Sequence, residues 1–181
     1  MSDHTDFLIA QLKIRISDPK RFVDMSFLGY GQHYSFAPVS PAELQDAQEK
    51  LGFQLPEFLR QLYAQVGNGG FGPGYGLLAL NDKGAKNYHS NLVDWYLQST
   101  TKAPPGYPPW PRFFVTICDW GDGITSLLNA ADALGPIFRF RGDAYADGPW
   151  ENVIKPEAPS MSVWLEEWLD NKPLFERGQH T

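Results

Sequence analysis

SPAELQDAQEKLGFQLPEFLRQLYAQVGNGGFGPGYGLLAL, residues 40–80, carries two helix starts, two helix stops, a glycine-rich turn and an apolar run. Ser40 and Glu43 have capping-box spacing, in which hydroxyl and carboxylate each satisfy an orphan backbone N–H at a helix start. Pro41 falls at the first helical position, where its missing N–H costs nothing. Leu44, Ala47 and Leu51 recur at helical spacing, and Gly52 can take the left-handed conformation that ends a helix. Leu55-Pro56 restarts the pattern, and Phe58, Leu59, Leu62, Tyr63 and Val66 form a second apolar stripe closed by Gly67. So short a link predicts a helical hairpin.

Gly67-Asn68-Gly69-Gly70-Phe71-Gly72 formally matches G-x-G-x-x-G. A pyrophosphate cradle needs those glycines to follow a strand and open a helix. Here they follow a helix and lead into Leu77-Leu78-Ala79-Leu80, which reads as a buried strand. The order is reversed, so the glycines are expected to serve a wide turn with several positive φ angles.

Outward from this stretch, Ile9, Leu12 and Ile16 predict a helix over 5–16, ended by Asp18-Pro19. Residues 26–39, rich in glycine and aromatics, read as irregular chain wrapping the core. A helix is expected over 90–99 and strands over 113–118, 123–129 and 136–141. The strands are joined so closely that they must be antiparallel neighbours. The run 104–111, PPGYPPWP, excludes regular helix or central strand. It is either a polyproline ligand for a partner or a stiff surface connection, the commoner use of a short proline cluster. Met161, Trp164, Leu165, Trp168 and Leu169 form the core stripe of a last helix over 160–171, with Glu166, Glu167 and Asp170 opposite.

Leu51, Gly52, Leu55, Pro56, Leu59 and Tyr63, followed by Asn68, Gly69, Gly70 and the GPGYGLL of residues 72–78, resemble the signature of the SUKH superfamily. That group includes fungal cell-wall-assembly regulators and bacterial immunity proteins. Cys118-Asp119-Trp120-Gly121-Asp122-Gly123-Ile124 is similar to its second motif, a glycine-rich hairpin turn, and SMSVWLEEWL at 160–169 resembles the terminal helix of bacterial members. The resemblance spans about 38–175 and leaves 1–37 as an N-terminal helix and wrapping segment. It implies an α+β fold: one domain over 1–181, with an antiparallel or mixed sheet of four to six strands packed against several helices.

At 181 residues, 43% hydrophobic and 20% charged, composition is ordinary for a globular chain, whereas 14% aromatic with 6 Trp is high. No apolar run approaches the ~20 residues that span a bilayer. The N-terminus has acidic residues where a signal peptide is basic, so a cytoplasmic location is expected. Cys118, the lone cysteine, cannot form an internal disulfide and reads as a small buried thiol at the end of an apolar run.

No catalytic, metal-ligating or cofactor-binding set emerges. His4, His33, His89 and His180 are scattered without ligand spacing, and neither a nucleophile elbow nor a P-loop occurs. Asp119 and Asp122, taken as an exposed turn, could bind a cation or act as acid and base, but are more often turn formers. A net charge of −6 argues against general nucleic-acid binding. Asp119, Asp122, Asp143, Asp147 and Glu151 gather in the loops of the C-terminal half, with Arg139 and Arg141 among them, and an acidic surface suits a basic partner.

Expected partner contacts are Tyr75, Trp120 and Trp150 as aromatic anchors, with Asp119, Asp122, Asp143 and Asp147 around them. Leu51, Gly52, Leu55, Pro56, Tyr63, Asn68, Gly69, Gly70, Gly121 and Gly123 are expected to build the scaffold. The resemblance implies a non-enzymatic module that covers a toxin, a nuclease among the candidates. The alternatives are a scaffold docking a host enzyme, as the fungal members suggest, and a ligand binder or hydrolase using the glycine-loop cleft.

Overall fold

The computed structural model describes residues 2–17, 37–83, 91–101, 108–142 and 150–175. Helix α1 covers Ser2–Ser17, α2 Pro41–Leu51, α3 Glu57–Gln65 and α4 Leu92–Thr101. Strands β1 (Phe114–Gly121), β2 (Ile124–Asn129) and β3 (Ile137–Arg141) follow, then the short helix α5 (Trp150–Val153), β4 (Ile154–Ala158) and α6 (Met161–Leu169). The architecture is α+β, with an antiparallel sheet in the order β1-β2-β3-β4.

The ends of α2 follow from their residues. The Ser40 hydroxyl accepts from the Glu43 N–H, the Glu43 carboxylate takes the Ser40 N–H, and Gly52 at φ 76 donates back to the Gln48 carbonyl. Asn91 starts α4, its Oδ1 accepting from the Asp94 N–H at 2.9 Å. Between β1 and β2 the turn residues Asp122 and Gly123 have φ of 51 and 75, the signs a type I′ hairpin requires.

The glycine segment is a turn, as its order implies: Gly69, Gly70, Gly72, Gly74 and Gly76 all have positive φ. Residues 77–80 are buried but do not form the expected strand. They make one isolated bridge, Leu77 to Cys118, with the Leu78 N–H on the Ile117 carbonyl at 2.8 Å. Tyr63 and Asn68 hold this run in place. The Tyr63 hydroxyl donates to the Leu78 carbonyl at 2.8 Å, and Asn68 Oδ1 accepts the Leu80 N–H at 2.7 Å. Side-chain anchors thus replace ladder bonds on the outer edge of β1.

Two elements were not foreseen, α5 and β4. Their sequence WENVIKPEA has no alternation, and Pro156 confines such a run to a sheet edge, which is where β4 lies. The core joins Leu8, Ile9 and Leu12 of α1 to Leu59, Leu62, Val115, Ile117, Leu128, Ile137, Trp164 and Leu165. Helix α6 packs against α1, α3 and β4, so the chain's first and last helices are neighbours.

Candidate functional site

Side chains alternate across a strand, and β3 therefore addresses both faces of the sheet. Phe140 looks to one face, where it meets Trp110 and Trp150 at ring distances of 5.4 and 6.3 Å. Arg139 looks to the other. Its Nη2 lies 2.8 Å from Glu157 Oε1, and both side chains are almost fully enclosed, at 3% and 2% exposure.

Glu157 is the hub of a buried network. Its Oε1 also accepts from Trp164 Nε1 at 2.7 Å. Its Oε2 accepts from the Ser126 hydroxyl at 2.7 Å, and Ser126 Oγ accepts from Trp120 Nε1 at 2.8 Å. Arg139 Nη2 donates as well to the Leu174 carbonyl at 3.0 Å, and its Cζ stands 4.3 Å from the centre of the Trp120 ring. One buried ion pair fixes the angle of Trp120 and the course of the tail at Leu174.

Trp120 and that tail are two walls of a pocket of about 350 Å³, open to solvent on one side. The remaining lining is Pro73, Gly74 and Tyr75 from the glycine turn, Trp168 from α6, and Lys172, Pro173 and Phe175 beside Leu174. Two glycines bring the walls this close. A Cβ at Gly74 would stand 2.7 Å from the Asp119 carbonyl oxygen, and one at Gly121 would stand 2.6 Å from the Tyr75 hydroxyl. The turn is tied down by the Tyr75 N–H on the Asp119 carbonyl at 2.9 Å.

Tyr75 and Trp120, from separate motifs, therefore share one site. Asp119 does not belong to an exposed turn: it is 5% exposed, and its Oδ1 accepts the Gly121 N–H at 2.9 Å, a turn-forming bond. Asp122 is exposed at the tip of the hairpin. Trp150 lies on the opposite face of the sheet from Trp120, its Nε1 donating to the Pro109 carbonyl at 3.0 Å and its ring packed edge-on to Trp110. The described part of the proline run, 108–111, folds onto that face, while 102–107, Asp143 and Asp147 lie outside the described residues. Trp168 packs against the core, as its stripe implies, but is only half-buried and also lines the pocket wall. Lys172 and Phe175 were not foreseen; the apolar pair Leu174-Phe175 just past α6 was the signal available.

Among the described residues, no carboxylate, imidazole or thiol is in the pocket's lining. Partial burial and the nearby Asp119 and Asp122 push the Tyr75 hydroxyl upward, so it stays protonated. Cys118 is enclosed behind the turn with its thiol on the Pro73 carbonyl at 3.1 Å, and burial pushes it well above the ordinary thiol range. Among the described residues no group of three His, Cys, Asp or Glu is placed to hold a metal ion, and no helix is long and apolar enough to cross a membrane.

No curated protein matches the chain. Residues 38–167 match the model of the SMI1 / KNR4 family (SUKH-1).

Proposed function

The chain belongs to the SMI1 / KNR4 family (SUKH-1), and on that premise we propose that it is a non-enzymatic protein-binding module, an immunity-type protein that neutralises a cognate toxin by covering it. The observation that supports this reading is the pocket itself. Its walls are aromatic, its angles are preset by the Arg139–Glu157 pair, and its described lining residues include no carboxylate, imidazole or thiol. Rigid aromatic walls suit anchoring, because little conformational entropy is lost when they are covered. The net charge of −6 favours a basic partner, which a nuclease acting on a polyanion commonly is. The working location of such a protein is the cytoplasm of the cell that makes the toxin.

The test is co-expression with the adjoining reading frame. That frame is expected to be toxic alone and tolerated with this chain, and the two products to co-purify. Tyr75→Ala is expected to weaken the complex by about tenfold or more, the loss typical of an interface anchor. An adjoining frame that is harmless alone, or that does not co-purify, removes the immunity assignment. An intact complex with Tyr75→Ala moves the interface elsewhere.

A further inference from the structure

Resting on the reading of the pocket as a docking site, the geometry points to the side chain that enters it: an aromatic ring of the protein partner, tyrosine or tryptophan, and not an arginine or lysine. Interface anchors are most often Trp, Tyr or Arg. A pocket walled by Tyr75, Trp120, Trp168 and Phe175 admits all three by shape, since a cation over an indole face is itself attractive. Both indole walls are already engaged from behind. Arg139 Cζ lies 4.3 Å from the Trp120 ring centre and Arg15 Cζ lies 4.1 Å from that of Trp168. Neither arginine is in the pocket lining, so each covers the far side of its ring.

A π cloud polarised towards a cation on one face offers less to a second cation on the other. At Trp120 the engagement is strong. Arg139 Nε and Nη1 are buried with no hydrogen-bond partner among the described residues, so the indole ring is their electrostatic complement. Lys172 adds a positive charge in the wall itself. It is paired loosely with Glu167 and Asp170, at 3.7 and 3.9 Å.

An aromatic entrant meets none of this opposition. It can pack edge-on or offset against Trp120, Trp168 and Phe175 through dispersion and complementary quadrupoles, and about 350 Å³ gives room for one large side chain. The cations of a basic partner have their own place outside, at the exposed Asp122 and Asp170 beside the pocket.

The experiment follows the indole N–H signals of the full-length chain by NMR, assigned with Trp120→Phe and Trp168→Phe. N-acetyl-tyrosinamide, N-acetyl-argininamide and free tyrosine are titrated in turn. N-acetyl-tyrosinamide is expected to shift both signals and to bind at least about fivefold tighter than N-acetyl-argininamide, the scale of one cation–π contact withheld. In Arg15→Met, shown folded by circular dichroism, that ratio is expected to fall by about half or more. A wild-type ratio below fivefold, or an unchanged ratio in Arg15→Met, overturns the inference and leaves the docking reading standing. No shift with any probe overturns both. Free tyrosine binding tighter than its capped amide overturns both as well, because the pocket is then a site for an amino acid.

Discussion

Glu43 closes the capping box of α2, and its carboxyl is held at about 2 against an ordinary value of 4.5. The backbone N–H of Ser40 is the largest cause, followed by the Ser40 hydroxyl and Lys83, whose Nζ is 3.0 Å away. A carboxyl with a depressed folded-state value stabilises the fold above its unfolded value and loses that contribution as pH falls through the folded one. Glu43→Gln is therefore expected to lower the urea midpoint at pH 6 by more than at pH 3. A gap that does not shrink between the two rejects the role. This box was legible from residues 40 and 43 because capping is local chemistry. The place of Asp119 was not: a turn-like CDWGDG string leaves open how far β1 extends, and three residues more of strand, to Gly121, turn an expected exposed carboxylate into a buried one.

Among the described ion pairs, that of β3 and β4 is the most enclosed, since Arg139 and Glu157 meet across these strands inside the protein. Breaking a buried pair strands one charge, at a cost of about 3–5 kcal/mol. Glu157→Leu is expected to lose stability on that scale in urea denaturation. Arg139→Met combined with Glu157→Leu is expected to regain part of it, but not all, because Ser126 Oγ and Trp164 Nε1 have lost their acceptor. A Glu157→Leu loss below about 1 kcal/mol would remove the pair from any supporting role. The strands up to β3 were readable from apolar runs punctuated by glycine. β4 was hidden by its own chemistry: Pro156 and Glu157 mark it as polar loop, yet Pro156 suits an edge and Glu157 turns inward to Arg139.

At the scale of the whole molecule, the matched region begins at residue 38, and α1 lies before it. Leu8, Ile9 and Leu12 are nonetheless among the most enclosed side chains, at 2%, 3% and 0% exposure. Burial of each is worth about 1.5–3 kcal/mol, against a total stability of about 5–15 kcal/mol for a domain. Removing residues 1–17 is expected to lower the melting temperature by ten degrees or more on the order of such a loss, and a truncated chain that melts with the full one overturns this. The helical pattern of α1 was visible in its spacing. Its docking on α6 was not, because a contact between residues 15 and 169 leaves no mark in either neighbourhood.

That contact makes the two ends of the chain one thermodynamic unit. Arg15 donates to the Leu169 carbonyl at 3.0 Å and to Asn171 Oδ1 at 2.9 Å while it backs the Trp168 ring. Detaching α1 releases Trp168, and a ligand that needs Trp168 in place binds only the attached form. By linkage, a ligand held at a hundred times its dissociation constant opposes that detachment by about 2.7 kcal/mol. Amide exchange along α1 thus becomes a remote gauge of whether the pocket is filled, read from a helix that contributes no residue to its lining.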